Sequence, residues 1–219
     1  MEKLVCTVFE KPFPHLIVEN FYNKDELELI WEELNYYTKP NKLLPPQGYG
    51  GIKDYTNAKA LSLDSLYKDK SSEDIDLNYR NISNILTVNR KLFTSGILDQ
   101  FSQIHACCSL ASKTNKDFTK VRYYHNGESY DPHIDKTFQF LAFSYFYKEP
   151  KKFTGGELEF PNYNYELTCE NNSLIIMPGW VQHGVKEVKI EDSNYYDGYG
   201  RYCISNFFTC VEKSESDTV

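Results

Sequence analysis

In the stretch VRYYHNGESYDPHID, residues 121–135, His133 and Asp135 stand two positions apart. Residues two apart in an extended strand share a face, so one imidazole and one carboxylate can reach a common metal ion. His183, fifty positions further on in MPGWVQHGV, is the candidate third ligand. Two histidines and one carboxylate on one face of an octahedron leave positions open, the arrangement that suits non-haem Fe(II) and dioxygen chemistry. Structural zinc would want four protein ligands in a closed tetrahedron, and none of the six cysteines has the spacing to complete one. Near the end of the chain, GRYCISNFF places Arg201, Cys203 and Ser205 on one face if the segment is a strand. A guanidinium fork with a hydroxyl beside it can hold one end of a dicarboxylate. The chemistry implied is oxidation with an acidic cosubstrate.

These phrases, with YKEPKKFTGGELEFP and NSLIIMPGWVQHGV, resemble the Fe(II)/2-oxoglutarate-dependent dioxygenases, and more closely their prolyl 4-hydroxylase-like branch, over roughly residues 117–210. The resemblance implies Fe(II) on His133, Asp135 and His183, and 2-oxoglutarate with its distal carboxylate on Arg201 and a hydroxyl from Ser205. Tyr123, ten positions before His133, and Tyr145 match tyrosines that contact the cosubstrate in that branch. Tyr130 and Trp180 flank the ligand-bearing phrases and are candidates for the substrate side of the cavity. The implied activity is hydroxylation of a peptide or protein, coupled to conversion of 2-oxoglutarate and O2 into succinate and CO2. Whether ascorbate assists is left open. The alternatives are a free amino acid or other small metabolite, a nucleobase, and a jelly-roll binding module without turnover. Arg201 follows His183 by 18 positions, further than in many relatives. The intervening EDSNYYDGYG reads as an extension bordering the substrate channel.

The positioning elements follow from pattern. Leu4–Phe9 and His15–Val18 read as short strands, and Asn23 with Glu26 as a capping box opening a helix with the stripe Leu27, Ile30, Trp31, Leu34. Thr38–Tyr55, rich in Pro and Gly, cannot continue it and is read, with Glu191–Gly200, as a lid over the substrate mouth. Leu61–Asp76 has room for a short helix. Tyr79–Ser112 carries two helical stripes separated by Gly96, with Ile82 on the first and His105 on the second. His15 is read as structural rather than catalytic, and His105 as a core or boundary histidine. From Asp117 onward short strands alternate with turns: Phe118–His125, Tyr130–Asp135, Phe138–Tyr147, Glu157–Phe160, Tyr165–Cys169, Ser173–Pro178, His183–Ile190 and Arg201–Val211. The expected fold is mainly β with α, a double-stranded β-helix (jelly roll, cupin-like) buttressed by N-terminal helices. It would form one domain over 1–211, with strands, helices and lid in 1–116 and the jelly-roll core in 117–211, followed by an acidic tail at 212–219.

With 219 residues, 41% hydrophobic and 25% charged, the chain can bury one substantial core. Its 18 Tyr and 14 Phe favour strands and a ring-lined pocket. A net charge of -7 argues against broad attraction to nucleic acid or anionic membrane, while leaving room for a local basic groove near Lys148, Lys151 and Lys152. No apolar run reaches membrane-span length, and MEKLVCTVFEKPFP lacks a secretory core, so a cytoplasmic location is expected. The cysteines lack both CxxC spacing and the density of a disulfide-stapled scaffold.

Overall fold

Strands whose side chains are buried on both faces dominate the second half of the chain, and their parity divides the molecule into two cores. The computed structural model describes residues 4–43, 55–68, 79–191 and 194–210. Seven strands form the main sheet, in the order β1 (Cys6–Phe9), β2 (His15–Val18), β10 (Ser173–Pro178), β6 (Phe140–Phe146), β13 (Arg201–Thr209), β4 (Lys116–Tyr124) and β3 (Lys59–Ser62). A four-stranded sheet runs β5 (Tyr130–His133), β11 (His183–Val185), β8 (Leu158–Phe160) and β9 (Tyr165–Leu167), and β12 (Val188–Ile190) pairs with β7 (Phe153–Gly155). The pairings within all three are antiparallel. This is the mixed architecture of a double-stranded β-helix with flanking helices.

Successive side chains on a strand point to opposite faces. In the main sheet Leu141, Phe143, Tyr145, Ile175, Met177, Cys203 and Phe207 turn toward the four-stranded sheet and pack with Leu158, Phe160 and Val185. Their neighbours Phe140, Ala142, Phe146, Leu174, Ile176, Tyr202, Ile204 and Phe208 turn the other way and pack under the helices with Ile30, Leu34, Leu86 and Phe101. Full burial of each such aliphatic or phenyl side chain stabilises the fold by about 1.5–3 kcal/mol. The same parity decides which polar side chains of β4 and β13 look into the space between the sheets.

The helical layer is held by local signals and one buried carboxylate. Asn23 caps α1 (Lys24–Tyr37): its Oδ1 accepts from Glu26 N at 2.9 Å and Glu26 Oε2 accepts from Asn23 N at 2.8 Å, the expected reciprocal box. Ile30 and Leu34 are buried, with Leu27 and Trp31 packed beside them. From α1, Glu33 reaches the start of α3 (Asn84–Val88), accepting from Ile85 N at 2.7 Å and Ser83 Oγ at 2.8 Å, and from the Tyr37 hydroxyl. Residues 61–68 contain the end of β3 and the short α2 (Leu63–Lys68).

The expected pair of long stripes over 79–112 is instead a chain of short pieces: α3, α4 (Lys91–Thr94), α5 (Ile97–Ser102) and 3-10 turns at 79–81 and 106–113. Gly96 adopts φ +75°, a left-handed conformation that breaks the helix and opens α5. Ile82 is exposed rather than part of a core stripe. His105 is also exposed: its Nδ1 accepts from Cys107 N at 3.2 Å, so it caps the following turn where a core or boundary histidine was expected. His15 is buried, with Nδ1 bonded to the Phe13 carbonyl at 2.9 Å and its ring stacked on Phe9, a structural role. Residues 44–54 of the expected first lid and the acidic tail 212–219 lie outside the described residues. Among the described residues no helix is long and apolar enough to cross a membrane.

Candidate metal centre

The pairing of β11 with β5 sets His183 directly opposite His133, and the two rings lie 4.6 Å apart between centroids. Strand parity does not deliver the carboxylate. β5 ends at His133, and Asp135 arrives two residues later on the turn that leads to β6. Phe138 N donates to the Asp135 carbonyl at 3.1 Å and closes that turn. The turn in turn packs on Gly179, where a Cβ would stand 2.1 Å from the Phe138 carbonyl and 3.1 Å from that of Asp135, so only glycine fits. Asp135 Oδ2 then lies 3.5 Å from His183 Nε2 and 3.9 Å from His133 Nε2, and one ligand atom from each of the three residues falls within 4.8 Å of the others.

Both imidazoles are set by the same device. Nδ1 of His133 bonds the Asp131 carbonyl and Nδ1 of His183 bonds the Val181 carbonyl, each at 2.9 Å and each two residues back in the chain. A ring that donates from Nδ1 keeps its Nε2 lone pair free, and here both Nε2 atoms face Asp135. Burial, with His133 alongside, pushes the His183 pKa down to about 3. Burial also lowers that of His133, against the pull of the Asp131 carbonyl and Asp135. Both rings are therefore neutral and able to ligate near neutral pH. Two imidazole nitrogens and one carboxylate form a donor set that suits Fe(II).

The triad opens into a cavity of about 490 Å³, mouth included, between the two sheets. Parity brings Arg201, Cys203 and Ser205 into it together, as the sequence predicts. Arg201 is 1% exposed. Its guanidinium lies 4.9 Å from the Tyr124 ring and 4.8 Å from the Tyr145 ring, and Nη2 donates to Cys169 Sγ at 3.3 Å. Its Nε and Nη1 are buried without a partner. Gly156, at φ +73°, makes the space: a Cβ there would sit 2.8 Å from Arg201 Cδ. A buried guanidinium with two free donors fits a carboxylate ligand, so the residues present fit 2-oxoglutarate as well as the metal. Tyr145 lines the same cavity, its hydroxyl also buried without a partner. Tyr130 lines it too, stacked on His133 with 3.9 Å between centroids.

Three expected placements are corrected. Tyr123 does not face the cavity: it pairs with Tyr202 on the helix side of the sheet, where its hydroxyl donates to the Tyr195 carbonyl and accepts from Gly200 N at 2.9 Å. Its neighbour Tyr124, opposite Arg201, holds the inward position. Trp180 is 49% exposed and does not line the cavity. None of residues 191 and 194–200 lines it either, and Tyr195 is fastened edge-on to Tyr123 on the opposite face of the sheet. Sequence reasoning also passed over Lys120 and Arg122, which share the inward face of β4 with Tyr124. The signal was present in the alternation Lys120, Arg122, Tyr124 against Val121 and Tyr123. Burial, with Arg122 nearby, lowers the Lys120 pKa.

Residues 119–209 match the family model described as the 2OG-Fe(II) oxygenase superfamily. No curated protein sequence matches the chain. Among solved structures, a prolyl-4-hydroxylase from Pseudomonas putida aligns over 90% of this chain and 93% of its own, at 12% identity and a TM-score of 0.53. A 2OG-Fe(II) oxygenase family oxidoreductase from Burkholderia pseudomallei aligns over 89% and 84%, at 13% identity and 0.55. A prolyl hydroxylase from Trichoplax adhaerens, in complex with a hypoxia inducible factor oxygen degradation domain peptide fragment, aligns over 89% and 82%, at 16% identity and 0.52. At these identities the likeness is one of fold. The family match over residues 119–209 and the two-histidine, one-carboxylate cluster show a 2OG-Fe(II) oxygenase superfamily domain in this part of the chain, and its fold is close to that of the prolyl 4-hydroxylases.

Proposed function

We propose that the protein is a hydroxylase in which His133, Asp135 and His183 hold Fe(II), Arg201 holds the distal carboxylate of 2-oxoglutarate, and the substrate is a peptide or protein segment. Bound iron and 2-oxoglutarate would supply the oxidising chemistry, coupling O2 to a hydroxylated product, succinate and CO2. The protein's part is to position and to exclude water. The buried Arg201 fork fixes one end of the cosubstrate. Ser205, two repeats along the same inward face of β13, offers a hydroxyl, and the Tyr124 and Tyr145 rings flank the guanidinium and fix its plane. Tyr130, stacked on His133, holds that ligand's ring in place.

The observation that carries this reading is Arg201: a buried cation whose Nε and Nη1 have no partner, in the same cavity as the metal triad. The peptide class rests on likeness of fold to enzymes named as prolyl hydroxylases, one of them holding a peptide. We take residues 1–211 to act as one unit, since β1, β2 and β3 complete the sheet that carries the site. The test is succinate release with Fe(II) and 2-oxoglutarate across pools of peptides, amino acids and nucleosides, with mass analysis for a gain of one oxygen atom. Turnover confined to nucleosides would overturn the substrate class; no 2-oxoglutarate consumption with any pool would overturn the reading as a whole.

A further inference from the structure

We infer that Lys120 and Arg122 form a second anion-binding subsite in this cavity, and that the substrate carries a carboxylate placed there. The inference rests on the reading above, since it names what the substrate presents to the same site.

The geometry begins with β4. Lys120, Arg122 and Tyr124 stand opposite Ser205, Cys203 and Arg201, so three cations lie on one cavity wall at successive two-residue steps, each about 7 Å along the strand direction. Arg201 occupies one end. At the other, Lys120 lies over the Phe207 ring at 5.2 Å. Arg122 is 7% exposed, its guanidinium 4.6 Å from the centroid of Tyr130, the ring stacked on the metal ligand His133. Its Nη1 is buried without a hydrogen-bond partner. A charged donor left unpaired in a buried site is destabilising, and a bound anion removes that penalty.

The charge count points the same way. Lys120, Arg122 and Arg201 face Asp135, the one carboxylate among the described residues lining the cavity. A divalent metal adds two positive charges and doubly charged 2-oxoglutarate cancels them, so the loaded cavity keeps an excess of about two positive charges. One dicarboxylate cannot serve all three cations, because its other end goes to the metal. An uncharged substrate would seal Arg122 Nη1 in without a partner. A carboxylate suits the guanidinium fork, whether it comes from an acidic side chain of a peptide or from a free amino acid.

The test loads the full chain anaerobically with Mn(II) and 2-oxoglutarate, then titrates carbon-13-labelled acetate, with acetamide as the neutral control. Paramagnetic broadening of the label reports approach to the metal. Wild type should broaden acetate saturably and acetamide not at all. Arg122→Gln and Lys120→Gln should each weaken acetate binding by about tenfold or more. Lys120 is only half-buried, which keeps the test informative if the Arg122 variant fails to fold. By calorimetry, 2-oxoglutarate affinity should stay within about twofold of wild type. Acetate binding that is equal in wild type and variants, or matched by acetamide, overturns the subsite. Loss of 2-oxoglutarate affinity as large as in Arg201→Lys assigns the pair to the cosubstrate and overturns it too. Failure of the wild type to take up Mn(II) and 2-oxoglutarate overturns instead the reading on which the inference rests. The source of the carboxylate follows from turnover: a raised KM in Arg122→Gln for acidic peptides but not for free amino acids, or the reverse, identifies it, while a neutral substrate turned over equally by wild type and variant refutes the inference.

Discussion

Replacing Arg201 by lysine keeps the positive charge and discards the fork. Nε and Nη1 are the guanidinium donors without a partner, and Nη2 is already engaged by Cys169. Nη2 has a second hydrogen besides the one given to Cys169, and with the free donor beside it the wild type offers a carboxylate two parallel charge-assisted bonds, each contributing about 1.5–3 kcal/mol. Lysine recovers the charge and at most one well-aimed bond, so 2-oxoglutarate affinity should fall by about tenfold or more, ~1.4 kcal/mol. The same loss reads out in stability. A ligand that binds only the folded state stabilises it by about 2.7 kcal/mol at a hundredfold excess over Kd, and a variant with tenfold weaker affinity retains about 1.4 kcal/mol at the same concentration. The rise in Tm caused by 2-oxoglutarate should accordingly shrink to about half. Anaerobic calorimetry on the Mn(II) complex and thermal unfolding with and without 2-oxoglutarate measure the two quantities. An unchanged Kd together with an unchanged Tm shift would refute the role given to Arg201.

Removing the carboxylate ligand by Asp135→Ala should abolish metal-dependent 2-oxoglutarate turnover and weaken Mn(II) binding; calorimetry showing wild-type metal affinity would count against the triad. The two adjacent tyrosines of β4 should behave differently. Tyr123→Phe loses bonds to Gly200 N and the Tyr195 carbonyl and should lower stability by about 1 kcal/mol with 2-oxoglutarate affinity intact, whereas Tyr124→Phe changes the surface around Arg201 and should alter cosubstrate or substrate kinetics. The opposite pattern would mean that the parity of β4 is misassigned. For His15, burial holds the pKa below the ordinary 6.5. The folded state resists a proton that the unfolded chain accepts, so its contribution is complete above about pH 6.5 and is lost as pH falls below that value. His15→Phe should therefore lose Tm less steeply than wild type between about pH 7 and 5; identical slopes would exclude His15 as a source of acid sensitivity.

What could be read from the sequence tracks how local the determining interaction is. The Asn23 and Glu26 box depends on residues three apart, and the structure reproduces it. Arg201, Cys203 and Ser205 share one strand, so parity alone places them on one wall. Parity does not carry across a turn. Between Tyr124 and Tyr130 the chain turns at Asn126-Gly127, and the count back from His133 selected Tyr123 where the register with β13 puts Tyr124 inward. For Asp135 the same argument named a residue that does join the cluster, but by the wrong route, since a turn closed against Gly179 brings it there rather than a strand. Lys120 and Arg122 alternate with Val121 and Tyr123 in a pattern that usually means a solvated face. Only the pairing of β13 with both β4 and β6 shows that face to be interior. Over 79–112 Gly96 separates the two stripes as its position between them suggested, through a left-handed conformation, whereas the further breaks after Val88 and after Ser102 are ones that a count of apolar spacings does not register.

The distribution of charge links the fold to its use. The chain as a whole carries -7, yet the wall formed by β4 and β13 turns Lys120, Arg122 and Arg201 inward and leaves donors of both arginines without partners. For stability alone, apolar residues of similar volume would serve at least as well at these positions, because unpaired buried charge weakens a fold. The sheet tolerates the charge because the other face of the same strands is packed with Val121, Tyr123, Tyr202 and Ile204 beneath the helices, so the strands stay in register whatever occupies the cavity. A scaffold held from behind can keep its polar wall preorganised before any ligand arrives, which lets binding proceed without a large ordering penalty. The helical layer is thus more than a buttress for the jelly roll: by holding β4 and β13 from the side away from the metal, it allows three cations to face one carboxylate in the cavity.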